Sequence, residues 1–217
     1  MTDTSATERS AGLALISAGV LNVAVNSVLT PLLPRGVSHA QTIASTVFAW
    51  RQSVASICAV LLLFGTVGLY TRVSEKSGKG GAVAFGLAFC GSALLLGEEW
   101  VQLFDIRDFA QRAPDALNSL SAAHGPSLSD IGGLIALSIF SIGWLALAGV
   151  TIRTRVVSRM AASMVVGGFF LIPLLQPLLP GLLGAIVGNV ILGCGWTWLG
   201  LELWRERASM HQQLRSP

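Results

Sequence analysis

The sequence is poor in charge. Of its 217 residues only 12% are Asp, Glu, Lys or Arg, against about 25% in an average soluble domain. So few charges cannot cover a soluble fold of this length, which excludes a soluble enzyme, a nucleic-acid-binding domain and a disordered chain. Histidine is scarce, and His39, His124 and His211 all fall in connections or the C-terminal tail. No intramembrane pair is therefore offered to haem or a metal. The three cysteines, Cys58, Cys90 and Cys194, lie within apolar runs. An odd count without C-x-x-C makes no disulfide framework and no zinc or redox motif, so inert buried thiols are expected. H-E-x-x-H, G-x-S-x-G and phosphate-binding glycine loops are missing as well. Neither catalysis nor a cofactor is expected.

What is present is apolar: 53% of the residues, with a mean hydropathy of +0.68. A helix needs about 20 apolar residues to cross roughly 30 Å of hydrocarbon. Six segments approach that length: 11–33, 47–70, 81–104, 131–152, 160–176 and 181–204. The expected fold is an all-α membrane bundle of six transmembrane helices over 11–204, with cytoplasmic tails at 1–10 and 205–217. Asp3 and Glu8 against Arg9 give no basic leader region, and the run after them is too long for a signal peptide, so it reads as a retained span. The fifth span carries Pro173, and Pro177-Leu-Leu-Pro180-Gly181 reads as the turn to the sixth.

Charge placement orients the six spans. Arg9, Arg72, Lys76, Lys79, Arg153, Arg155, Arg159, Arg205, Arg207 and Arg215 fall on one side, and Arg35, Arg51, Arg107 and Arg112 on the other. The positive-inside rule then places both termini in the cytoplasm. Between spans three and four, Ile106, Phe109, Ala113 and Leu117 recur at helical spacing, which predicts a short amphipathic helix on the outer surface, interrupted near Pro114. His124-Gly125-Pro126 would end it, and Ser129 or Asp130 would cap span four.

Ionisable groups inside a span cost on the order of 2.5 to 3.5 kcal/mol each at the centre, so each needs a partner or water. Arg51, Glu98 and Glu99 are the cases here. Counted from the cytoplasmic ends of their helices, Arg51 and Glu98 reach the same outer depth, which predicts a bridge from Arg51 to Glu98 or Glu99. Asn22, Asn26 and Thr30 share one face of span one. Gln102 and Asp105 continue the face of Glu98, and Gln176 and Asn189 add polar groups from the last two spans. The strong polar side chains thus gather in the outer half.

This cluster has two readings. Arg51, Glu98, Glu99, Asn22, Asn26, Gln102 and Asn189 are candidate ligand-binding residues for a small polar solute or lipid headgroup, with Arg51 as anion anchor and a carboxylate as counter-charge or proton site. Alternatively the same groups only hold helices together in a structural or accessory subunit. Gly184-Ala-Ile-Val-Gly188 and Gly193-Cys-Gly195 are expected to be close packing surfaces, including for a homodimer or membrane partner.

Trp50-Arg51 opening the second span, Gly68-Leu-x-x-Arg72 closing it, Gly97-Glu98-Glu99-Trp100 late in the third and Gly200-Leu201-Glu202-Leu203-Trp204-Arg205 closing the last are loose motifs spread over most of the chain. In these the chain resembles small six-span bacterial integral membrane proteins classed as domains of unknown function. The resemblance implies a multi-pass protein of the bacterial inner membrane and no particular chemistry.

Overall fold

The structure, a computed structural model, describes residues 4–122, 125 and 127–213, with side chains described from 9 to 205 within that set. His124 and Pro126 of the expected stop, Arg215, and the side chains of Arg207 and His211 lie outside it. The described residues are helical with no strand. Helix α1 (Thr4–Ala24) runs on into a π-helical turn, Val25–Leu29. Next come α2 (His39–Ala44), α3 (Thr46–Val101) with a second π turn at Gln102–Ile106, α4 (Arg107–Arg112), α5 (Pro114–Ala122), α6 (Leu128–Thr154), α7 (Arg159–Leu175) and α8 (Leu183–Gln213).

Among the described residues four helices are long and apolar enough to cross a membrane: Arg9–Leu29, Thr46–Arg112, Leu128–Thr154 and Leu183–Arg205. The second is folded in two at Gly78, whose φ of 56° and ψ of −149° lie where a β-carbon is not tolerated. Its arms, 46–77 and 79–101, run back along each other, as the stacking of Tyr70 on Phe85 across the turn records. With 17 residues α7 is shorter, roughly 26 Å of helix, and contains Pro173.

These rods form a ring in which α1 packs on α8 and the first arm of α3, α6 on the second arm and α7, and α7 on α8. Neighbours are antiparallel and zipped at glycines. A β-carbon at Gly19 would lie 2.3 Å from the Gly193 carbonyl, at Gly143 2.4 Å from the backbone of Ala88, and at Gly168 2.7 Å from that of Leu192. Gly184, Gly188 and Gly195 press on α7 in the same way, and Gly193 on α1. These glycine stretches are close packing surfaces within the chain, because α8 lies between two neighbours and has one small-residue face for each.

The antiparallel order sets two unlike ends. One carries the N-terminal end of α1, the C-terminal end of α8, the Gly78 turn and the α6–α7 connection, and with them Arg9, Arg72, Lys76, Lys79, Arg153, Arg155, Arg159 and Arg205. This basic end has a dry core of Leu15, Leu69, Trp144, Leu147, Val165 and Leu199. Arg155, at φ 54°, ends α6, and Glu202 accepts a hydrogen bond from the Ser158 amide at 2.5 Å where α7 begins.

The opposite end is capped. The helix of α3 continues to Arg112, breaks at Ala113 and resumes with Pro114 as the first residue of α5. The amphipathic segment thus appears as two pieces that close on α2 around Ala40, Ile43, Phe48, Ala110 and Leu117. Helix α2 carries no long apolar run to announce it and is set by the Ser38–Gln41 capping box. Span four is capped by Ser127, not by Ser129 or Asp130: the Ser127 hydroxyl accepts from the Asp130 amide at 3.1 Å and the Asp130 carboxylate accepts from Ser127 in return. Asp130 fills the reciprocal place of a capping box, which moves the start three residues earlier.

Candidate functional site

Just below the cap the ring does not close on itself. A cavity of about 610 Å³ lies on its axis, and every rod contributes to its wall. Its volume is in the 300–1,000 Å³ range of small-molecule sites. At the capped end stand Asn22 and Asn26 from α1, Arg51 and Glu99 from the two arms of α3, Gln176 after α7 and Asn189 from α8. Toward the basic end the wall is apolar, with Leu62, Phe140, Phe169, Leu192 and Trp196. From Arg51 to Leu62 the cavity follows roughly 16 Å of helix.

The polar end holds two hydrogen-bonded groups, one of asparagines on α1 and α8 and one running from Thr30 through Arg51 to Glu98. Asn22 donates to the Asn189 carbonyl at 3.1 Å, and Asn26 donates to the Asn22 carbonyl at 2.9 Å and to its side-chain oxygen at 3.1 Å. Arg51 donates through Nε to Thr30 Oγ1 at 3.2 Å and through Nη1 to Gln52 Oε1. Gln52 passes its amide hydrogen to Gln102 at 2.8 Å, and Gln102 donates to Glu98 at 2.9 Å. Arg51 Nη1 and Glu99 Oε2 stand 3.8 Å apart. The arginine thus meets Glu99 as an ion pair beyond hydrogen-bond distance, and meets Glu98 only through two glutamines.

The two carboxylates separate because consecutive residues of a helix point about 100° apart. Glu99 turns into the cavity, and Glu98 turns toward Gly133 of α6, whose missing side chain leaves it room. Of the candidate residues, Asn22, Asn26, Arg51, Glu99 and Asn189 line the cavity. Glu98 and Gln102 stand behind it and hold Arg51 in place through Gln52. Asp105 is exposed and takes no part. Gln52, wholly buried, is the hub that sequence reasoning missed. Its signal was available, since Gln52, Ser56, Ala59, Leu62 and Thr66 recur at steps of three and four and form the buried face of the first arm.

Two polar atoms of the cavity lining are enclosed without a hydrogen-bond partner, Glu99 Oε2 and Trp196 Nε1. Such groups in a finished core each cost about 1–3 kcal/mol, more when charged. Asn26 and Gln102 both lie in the π-helical turns, which occur disproportionately where a helix serves function. No family model, no curated protein and no solved structure matches the chain. The geometry of the cavity is what bears on function.

Proposed function

We propose that this protein is a six-span protein of the bacterial cytoplasmic membrane, both termini in the cytoplasm, that binds a small polar solute or a lipid headgroup at Arg51 and Glu99. The cavity carries this reading: a space of about 610 Å³ with an acid and a base at one end and an enclosed carboxylate oxygen lacking a donor. The six rods supply the spans, α7 crossing with help from the 176–182 turn. The one-sided distribution of basic residues supplies the orientation. Binding is favoured over through-passage, because Leu15, Trp144, Val165 and Leu199 fill the basic half without exposure.

A structural or accessory role is the second reading, favoured by the Asn22–Asn189 and Gln52–Gln102 bonds, which tie helices within the chain. Thiol accessibility separates the two. With Cys58, Cys90 and Cys194 replaced by Ala, Asn26→Cys in the purified protein in detergent should react with N-ethylmaleimide, which is small and membrane-permeant, and Thr66→Cys in the closely packed half should not. Equal protection of both positions would sink the binding reading.

A further inference from the structure

The cavity is polar at one end only, and a small polar solute bound there would leave the apolar remainder against nothing. Its wall is also incomplete on one side. Glycines bring α1 against α8, α8 against α7 and the second arm of α3 against α6 to backbone contact, and Gly65 and Gly68 of the first arm receive the Leu15 and Ala11 side chains of α1. Between α6 and α7 no glycine does this: Gly133 and Gly143 face the second arm of α3, and Gly168 faces α8. No hydrogen bond among the described residues crosses this seam, and its ring contact is Phe140 against Phe169, 5.8 Å between centroids. Leu137 of α6 and Phe170 of α7 line the cavity and are nevertheless 50% and 61% exposed. The cavity therefore faces outward here, on a side of the bundle that meets hydrocarbon when the rods span a bilayer. Pro173 lies beside the opening and cannot donate to the Phe169 carbonyl, which removes one rung of α7 where the gap is widened.

The polar end specifies a head. Arg51 spends Nε on Thr30 and Nη1 on Gln52 and keeps Nη2 for an anion. Glu99 Oε2 needs an N–H or O–H donor. The two stand 3.8 Å apart, so one group bearing a phosphate beside a primary ammonium can serve both.

We propose that the cavity takes a zwitterionic amphiphile from the bilayer through the gap between α6 and α7, its phosphate at Arg51, its primary ammonium at Glu99 and a hydrocarbon chain against Phe140, Phe169 and Trp196. This rests on reading the cavity as a ligand site. The purified full chain in a mild maltoside detergent, given equal amounts of lysophosphatidylethanolamine, lysophosphatidylcholine and chainless glycerophosphoethanolamine, tests it by native mass spectrometry. The ethanolamine lysolipid should be retained at least tenfold over the choline one, whose quaternary ammonium has no N–H for Glu99, and the chainless head should not be retained. Glu99→Gln should erase the preference between the lysolipids, and Leu137→Trp, which narrows the gap away from the polar end, should lower retention of both. Equal retention of the two lysolipids by the wild type would overturn the head assignment. Retention of the chainless head as strong as that of the lysolipid would overturn the chain and the side entry and leave a polar-solute site standing. Retention of none of the three would overturn the inference together with the binding reading.

Discussion

The basic half and the capped half of the bundle are built from the same helices by opposite means. In the basic half helices meet at glycine and alanine, and the space between them is filled by Trp144, Trp196, Leu147 and Leu199. Thr66 and Thr151 there donate to carbonyls one turn back and Ser92 accepts from Trp144 Nε1 at 3.2 Å, whereas Trp196 Nε1, where this half meets the cavity, has no partner. In the capped half α7 and α8 still meet at Gly184 and Gly188, but around the cavity the rods are held apart, linked by long polar side chains, and loosened by π turns at Asn26 and Gln102. Apolar contact gives no hydrophobic drive between helices already in lipid, so close van der Waals packing must hold the first half. The second half gives up that packing around its cavity and replaces it with directed bonds. Close packing and directed polar bonds are thereby assigned to different ends of the same rods.

This division predicts unequal responses to substitution. The largest belongs to the closest approach: Gly19→Leu places carbon 2.3 Å from both the Gly193 carbonyl and Thr197 Oγ1. It should cost about 3 kcal/mol or more, forcing α1 off α8, and the thermal unfolding midpoint in detergent should collapse. Trp144→Ala comes next, at about 3–5 kcal/mol for an emptied, fully enclosed site. A midpoint within a degree or two of the wild type for either variant would mean that the basic half is not the stabilising half. At the other end Gln52→Ala should cost about 1–3 kcal/mol, since Gln102 and Arg51 each lose a buried partner. Loss of ligand retention should exceed what that destabilisation explains, because Arg51 is then no longer held.

The helices themselves were legible in the sequence because lipid demands a continuous apolar run and closes the backbone bonds within it. So was the gathering of polar side chains, since Asn22 and Asn26 are one turn apart and Arg51 and Glu98 reach nearly the same depth when counted from the basic ends of the apolar runs 47–70 and 81–104. The unread features have no comparable signal. Gly78 breaks α3 in a stretch of serine, lysine and glycine that reads equally well as a loop. Helix α2 is six residues long and owes its existence to one capping box and to contact with α4 and α5. That Gly193 faces α1 while Gly195 faces α7 depends on the order of helices around the ring, which no local pattern carries. Gln52 was passed over beside Arg51 because an uncharged amide raises no cost that hydropathy registers.

The finest contrast lies in the asparagines and the idle glycines. Asn22→Ala removes one interhelical bond to Asn189, and such bonds in membranes average about 0.6 kcal/mol. A loss of that size would assign Asn22 to helix association, whereas an unchanged midpoint with weakened lysolipid retention would assign it to the ligand. Gly149→Ala and Gly167→Ala go in the opposite direction: open space stands where their β-carbons would be, and alanine exceeds glycine in helix preference by about 1 kcal/mol. Each should leave the midpoint unchanged or raise it slightly. If either instead destabilises as the glycines of the closed seams do, a neighbour stands nearer to these faces of α6 and α7 than the open space at their β-carbons allows.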